Sequence, residues 1–213
     1  MAAEVDLLRA VEAAPMRTVR YQDIASSGTN VWRVLDGLVA DGALARLAQG
    51  VYTAPPPGRD GRQWTPGLET AGLAIATARH GVRQAILMGV GAARFLGAFP
   101  RAIGNTVIAV PAAGRHPVSV RAGTIHFAAR DLDRMDAALE TTELGHGLVT
   151  TPAQTLFDLL MRPAQGGEPE VAREAADNLL AQVDPGEFDG LMSSASRLNQ
   201  SVRRAARVLA GAR

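Results

Sequence analysis

Three polar residues, Thr29, Asn30 and Arg33, stand at the start of a segment whose apolar residues recur at helical spacing. At roughly 100° per residue, Thr29 and Arg33 lie opposite the apolar positions, and Asn30 flanks them. Threonine, asparagine and arginine side chains form hydrogen bonds with base edges and with phosphates. In a helix-turn-helix, residues near the N-terminus of the second helix read the bases of the major groove. The pattern therefore predicts a recognition helix for duplex DNA at residues 30–40.

Four more residues are predicted to contact DNA because of where they lie relative to that helix. Arg17 and Arg20 come just before a short helix at residues 21–25, where a contact with the phosphate backbone is expected. Arg46 and Gln49 lie on or beside the tip of a hairpin that follows the recognition helix. A hairpin after the third helix is the wing of a winged helix-turn-helix, and wings commonly contact DNA beside the recognition helix.

Two observations oppose this interpretation. Asp36 lies on the same exposed face, where it would repel phosphate, and its spacing allows a pair with Arg33. Residues 1–66 also contain seven arginines and seven acidic residues, so the strongly basic footprint of many DNA-binding domains is missing. An ordinary surface helix with a few polar residues is therefore the alternative interpretation of residues 30–40.

The C-terminal segment carries the largest local excess of positive charge. From residue 190 onward the chain has five arginines and no acidic residue. A basic helix can bind phosphate or an acidic partner, and the alternative is a solvated face that suits the C-terminal end of a helix dipole. The candidates for a secondary DNA or partner contact are Arg197, Arg203, Arg204 and Arg207, all on a helix predicted at residues 187–210.

No arrangement typical of a catalytic or metal site is found in the sequence. The four histidines are scattered and there is no cysteine, so no set of residues has metal-ligand spacing. The segment GVGAAR (89–94) lacks the third glycine of a dinucleotide-binding loop, and close packing of helix on strand is the favoured interpretation. Asp131, Asp133 and Asp136 alternate with arginines and are predicted to begin a solvated helix. We therefore expect a binding protein without cofactor or metal, and not an enzyme.

Composition is that of a globular protein that does not enter a membrane. The chain has 213 residues, a net charge of +1 and 47% hydrophobic residues. No apolar run reaches the roughly 18 residues that a membrane span needs, and the acidic residues near the N-terminus are unlike a secretory signal. The absence of cysteine also suits a cytoplasmic protein.

A proline- and glycine-rich stretch, PPPGRDG (55–61), divides the chain. We predict a winged helix-turn-helix at residues 1–54, a linker at 55–66 and a mixed α/β domain with C-terminal helices at 67–213, giving an α+β fold class. The first unit is predicted as three helices followed by strands at 43–47 and 51–54. The second alternates helical segments with short strands.

Both halves of the chain resemble the AbiEi antitoxin family of bacterial abortive-infection toxin–antitoxin pairs. In the N-terminal half the resemblance lies in YQDIA (21–25), TNVWRVLDGLVADGAL (29–44) and GVY (50–52). In the second half it lies in MGVGAARFLG (88–97), TVIAVP (106–111) and LVTTPAQTLFDLL (148–160). The motifs follow one another in the expected order over nearly the whole chain, and this order is the specific part of the resemblance.

The resemblance implies a transcriptional autorepressor that binds its own promoter, and an antitoxin that neutralises a nucleotidyltransferase toxin encoded next to it. The third helix and the wing would contact operator DNA. The second domain would add a further DNA contact or support a homodimer on inverted repeats. The alternative is a winged-helix regulator whose second domain senses a small molecule.

Overall fold

The computed structural model describes residues 2–25, 30–112 and 116–211. Its first unit follows the predicted order of helices and hairpin, with one additional strand. Thr29, one of the predicted contact residues, lies outside the described residues. The elements of this unit are α1 (Ala2–Ala13), β1 (Thr18–Arg20), α2 (Tyr21–Ile24), α3 (Val31–Ala40), β2 (Ala45–Ala48) and β3 (Val51–Thr53).

A small core of its own joins the three helices to the hairpin. On α3 the buried residues Val31, Leu35 and Leu38 recur at the spacing of one helical face. They pack against residues from α1, from α2 and from the hairpin, which close the core on its other sides. The remaining buried members are Leu7, Val11, Ile24, Leu44, Tyr52 and Ala54.

Strand β1 was not indicated by the sequence pattern, and it depends on an unusual backbone conformation. Met16 and Arg17 both have φ of 50°, in the left-handed region that residues other than glycine seldom adopt. The Arg17 guanidinium donates to the carbonyl oxygens of Ala54 (3.0 Å) and Pro55 (3.1 Å), and to Glu12 (3.2 Å). These bonds hold β1 beside β3 in a three-stranded antiparallel sheet of order β1-β3-β2.

The second unit has a mixed sheet with helical segments on both of its faces. Within the described residues the strand order is β6-β7-β5-β4-β9-β8, with β4–β9 and β5–β7 parallel and the other pairs antiparallel. The elements are α4 (Leu68–His80), β4 (Ile86–Met88), α5 (Gly89–Phe95), β5 (Asn105–Val110), β6 (Val118–Val120), β7 (Gly123–Ala129), β8 (Ala137–Thr142), β9 (Gly145–Thr150), α6 (Pro152–Met161), α7 (Pro169–Leu179), α8 (Pro185–Ser194) and α9 (Gln200–Gly211).

Alternate residues of the central strands enter two different cores, as the twofold period of a strand requires. Ile86 and Met88 of β4 face a core with α5, α6, α7, α8 and α9. Leu87, between them, faces a second core that α4 covers together with Met16, Leu47 and Val51 of the first unit. The two faces of this sheet therefore carry the C-terminal helices and the N-terminal unit, respectively.

Residues 55–66 make defined contacts with both units. The Gly61 amide donates to the Gly42 carbonyl (2.8 Å), and a Cβ at Gly61 would lie 2.5 Å from the Leu44 carbonyl oxygen. The Trp64 indole donates to Glu143 (3.2 Å), which also accepts from the Gly67 amide (2.7 Å). These bonds and the shared second core set the position of the N-terminal unit on the sheet.

Two predictions about the second unit are wrong. Residues 131–136 do not begin a helix: a single 3-10 turn at Leu132–Arg134 is followed by β8, which pairs with β9. The helix predicted at 187–210 is two helices, because the Asn199 side chain accepts from the Val202 amide (3.0 Å) and caps α9. Arg197 consequently lies in the connection between α8 and α9.

None of the helices in the described ranges is both long and apolar enough to cross a membrane.

A buried carboxyl group on α6 has a strongly perturbed pKa. Burial raises the pKa of Asp158 from 3.8 to about 6, against the opposing charges of Arg130 and Arg162 and a hydrogen bond from Gln154 (3.1 Å). Its second oxygen, Oδ2, is buried without a hydrogen-bond partner among the described residues. Burial also lowers the pKa of Arg130. The proton on Asp158 is therefore bound more tightly in the folded chain than in the unfolded chain.

We expect this residue to make folding less favourable at high pH. Its contribution to the free energy of unfolding is fully present below about pH 4 and is lost as the pH rises through about 6. Asp158→Asn mimics the protonated form. Its free energy of unfolding relative to that of wild type should increase by about 1–3 kcal/mol when the pH is raised from about 4.5 to about 8. Urea unfolding at both pH values measures this difference, with the exposed Asp177→Asn as control. An equal difference at the two pH values for Asp158→Asn would contradict the assignment.

Candidate nucleic-acid interface

The first turn of α3 presents two of the predicted contact residues to solvent. Asn30 has φ of 76°, and its carbonyl accepts from the amides of Arg33 (3.0 Å) and Val34 (3.3 Å), so the helix begins directly after it. The side chains of Asn30 and Arg33 are exposed. Within the part of the chain that the structure describes, the Arg33 guanidinium has no hydrogen bond or ion pair. The geometry therefore leaves both side chains available at the end of the helix that would meet bases.

Three aromatic rings connect α3 with α2 and with the hairpin. The ring centroids of Tyr21 and Trp32 are 5.1 Å apart, and those of Trp32 and Tyr52 are 6.3 Å apart, both in edge-to-face geometry. Tyr52 is fully buried, and this burial raises the pKa of its phenol. Trp32 remains 43% exposed. Trp32 was not among the residues predicted from the sequence to belong to this surface, although its position beside Arg33 could have indicated it.

Arg46 couples the hairpin to α3. Its guanidinium lies 5.7 Å from the Trp32 ring centroid and 5.4 Å from that of Tyr52, and it forms a 2.6 Å ion pair with Asp36. Cation–π contacts of this kind each contribute about 0.5–1 kcal/mol at exposed sites. The sequence spacing allowed Asp36 to pair with Arg33, but the structure pairs it with Arg46 of β2. The negative charge of Asp36 is therefore neutralised by Arg46 of the hairpin, and it does not offset the positive charge of Arg33.

Of the two arginines before α2, one is used to hold the fold together. Arg17 donates to the Ala54 and Pro55 carbonyls and to Glu12, so its guanidinium stabilises the fold, and its contact with DNA stays a prediction. Arg20 forms a bidentate pair with Asp23 (2.7 and 2.8 Å), and this hydrogen bonding lowers the pKa of that carboxyl. Arg20 remains partly exposed and can still face a phosphate.

Gln49 is exposed at the turn of the hairpin. The next residue, Gly50, has φ of 68° and its carbonyl accepts from the Tyr21 amide (2.8 Å), so the turn lies against the start of α2. The first unit thus carries four of the predicted contact residues that the structure describes: Asn30, Arg33, Arg46 and Gln49.

The C-terminal arginines lie elsewhere. Arg203, Arg204 and Arg207 are exposed on α9, whose buried residues Val202, Ala205 and Leu209 belong to the core with α5 to α8. Because the N-terminal unit packs on the opposite face of the sheet, the structure does not bring these arginines together with α3. Arg197 is exposed in the connection before α9.

Of the two glycines in residues 89–94, Gly91 has a packing role. A Cβ at Gly91 would lie 2.1 Å from Thr106 Oγ1 of β5, so only glycine lets α5 approach the sheet this closely. Arg94, which stands where a nucleotide-binding loop has its third glycine, forms a 2.6 Å ion pair with the buried Glu69. No group of three histidine, aspartate or glutamate residues in the described ranges could hold a metal ion.

Comparison with known proteins shows the fold alone. No protein-family model matches the chain, and no curated protein matches it. Among solved structures, the crystal structure of the Rv2827c protein from Mycobacterium tuberculosis is similar to it, with a TM-score of 0.63 and 18% identity. The similarity covers 98% of this chain and 76% of that protein. The chain has an α+β fold with a mixed sheet and C-terminal helices.

Proposed function

We propose that this chain is a DNA-binding transcriptional autorepressor whose first 54 residues act as a winged helix-turn-helix. In this proposal α3 enters the major groove and the β2–β3 hairpin is the wing. The observation that carries the proposal is the contact of Arg46 with Trp32 and Asp36. It joins the helix and the hairpin into one surface, on which Asn30 and Arg33 are exposed at the N-terminal turn of the helix.

The charge balance of this surface favours base recognition over strong nonspecific affinity. Asp36 is matched by Arg46 and Asp23 by Arg20, so Arg33 contributes a positive charge that the described contacts do not offset. Arginine forms bidentate hydrogen bonds with guanine O6 and N7, the most frequent specific contact in the major groove. Asparagine pairs in the same way with adenine. Asn30 and Arg33 are therefore the proposed base-reading residues, with Gln49 and Arg20 near the backbone.

We also propose that the chain is a cytoplasmic antitoxin that neutralises a nucleotidyltransferase toxin, on the basis of the family resemblance. The three motifs of the second half cover the last residue of β4 with α5, most of β5, and the end of β9 with most of α6. These are adjacent central strands and the helices packed on them, so the motifs belong to the core of the second unit. A toxin would accordingly be recognised by other, exposed residues, and the arginines of α9 are the candidates. The alternative of a second unit that senses a small molecule stays a prediction.

Arg33→Ala should weaken binding to the duplex upstream of the chain's own gene by about 1–3 kcal/mol, because it removes a base contact. Binding to an unrelated duplex should weaken less. Electrophoretic shifts at two salt concentrations measure both affinities. Arg101→Ala is the matched control: it removes one arginine from the other face of the sheet, where Arg101 lies 4.9 Å from the Phe99 ring centroid. Equal losses for the two variants would contradict the assignment of α3, and absence of any shift for wild type at low salt would overturn DNA binding.

Co-expression with the neighbouring toxin gene tests the antitoxin proposal separately. Wild type, expressed from an unrelated promoter, should restore growth, and Arg33→Ala should restore it equally because promoter binding is then not needed. A variant with alanine at Arg203, Arg204 and Arg207 should restore growth less if α9 contacts the toxin. Failure of folded wild type to restore growth would refute the antitoxin role and leave DNA binding unaffected.

A further inference from the structure

A notch of about 490 Å³ lies where the two units meet beside the hairpin turn. We call it the α2–α4 notch, because its walls are the first turn of α2, the last turn of α4 and the hairpin turn between β2 and β3. Its charged and polar walls come from Arg20, Tyr21, Gln22, Gln49, Arg79 and His80. Arg79 and His80 belong to the second unit, and the other four belong to the first.

Positive groups dominate this notch. Arg79 is half-buried with its guanidinium 5.6 Å from the Phe127 ring centroid, and it has no carboxylate partner within the described ranges. Burial lowers the pKa of Arg79, and the charge of Arg20 lowers it further. Burial also lowers the pKa of His80, followed by the charges of Arg79 and Arg20. Two guanidinium charges, those of Arg79 and Arg20, therefore lie close to each other at this notch, with the His80 imidazole beside them. Asp23, which is paired with Arg20, is the carboxylate that the described contacts place there.

The notch adjoins the surface that would meet DNA. Tyr21, one of its walls, is in edge-to-face contact with Trp32 of α3, 5.1 Å between ring centroids. Gln49, another wall, is exposed at the tip of the hairpin. A duplex that lies along α3 and the hairpin would thus bring its sugar–phosphate backbone to the mouth of the notch. Arginine is well suited to this contact because its planar guanidinium matches the oxygens of a phosphate.

We propose that the α2–α4 notch binds one backbone phosphate of the duplex, with Arg79 and Arg20 as donors and His80 beside them. The inference rests on the proposed DNA-binding function and adds to it a direct contact from the second unit. The equal number of arginines and acidic residues in residues 1–66 then does not limit the affinity for DNA, because part of the positive charge at the DNA-binding surface comes from α4. A free phosphate ion has the same chemistry, so the test separates the two sources.

Arg79→Gln removes the charge and keeps a hydrogen-bonding side chain of similar length. We expect about three- to tenfold weaker binding to the chain's own upstream duplex and to an unrelated duplex alike, with the salt slope reduced by about one. Arg101→Gln, with the same change of charge on the other face of the sheet, should leave affinity and slope unchanged. If wild type binds the duplex and folded Arg79→Gln binds it with the same affinity and slope, the notch proposal is wrong and the proposed function stands.

The His80 imidazole gives a second readout that needs no destabilising variant. Among the described residues, the charged or titratable groups placed around it are Arg79, Arg20 with Asp23, and Tyr21. A phosphate in the notch favours the imidazolium, so the pKa of His80, followed by NMR of wild type and assigned with His80→Gln, should rise when duplex binds. An unchanged His80 signal in the duplex complex would overturn the proposal. If micromolar inorganic phosphate alone raises the pKa of His80, the ligand of the notch is a free anion and the proposal of a backbone phosphate is wrong.

Discussion

The β2–β3 hairpin is used on both of its faces, and the arrangement of the molecule depends on this. Leu47 and Val51 enter the core shared with α4, whereas Arg46 and Tyr52 face α3. Successive residues of a strand point to opposite faces, so a one-residue shift in register would exchange these two sets. The register between β2 and β3 changes between Arg46 and Ala48, which accommodates both contacts. One face of the hairpin thus holds α3, and the other face holds the first unit against the second.

This double role is consistent with the proposal that a nearly neutral N-terminal unit presents a DNA-binding surface. In that proposal the first unit supplies the shape and the side chains that read bases, and Arg46 is held by the Trp32 ring and Asp36. Because Met16, Leu47 and Val51 are buried against α4, the end of that helix is held beside the hairpin turn. Arg79 and His80 are thereby available next to Gln49. In the proposed complex, recognition comes from the first unit and part of the phosphate affinity from the second.

The sequence was sufficient where local spacing determines structure. The apolar residues of α3 recur every three or four positions, and the hairpin turn contains a glycine with positive φ, so both elements were predicted close to their observed bounds. The prediction failed where long-range contacts decide. Strand β1 exists because Arg17 bonds to residues 54 and 55, and β8 exists because β9 pairs with it. Asp36 could pair with Arg33 of its own helix or with Arg46 of the hairpin, and only the folded hairpin selects Arg46. Likewise, Arg79 and His80 are far in sequence from Arg20, so no local pattern could bring them together.

We propose that α3 and the hairpin, and not the basic C-terminal helix, contact the duplex. The chain has no cysteine, so a single introduced cysteine can carry an iron chelate that cleaves nearby DNA. The label would be placed at Gln49→Cys on the hairpin turn, or at Ser196→Cys, an exposed position between α8 and α9. We expect discrete cleavage of the bound upstream duplex from position 49 and none from position 196. Cleavage from position 196 without cleavage from position 49, on a duplex that the chain binds, would contradict this proposal.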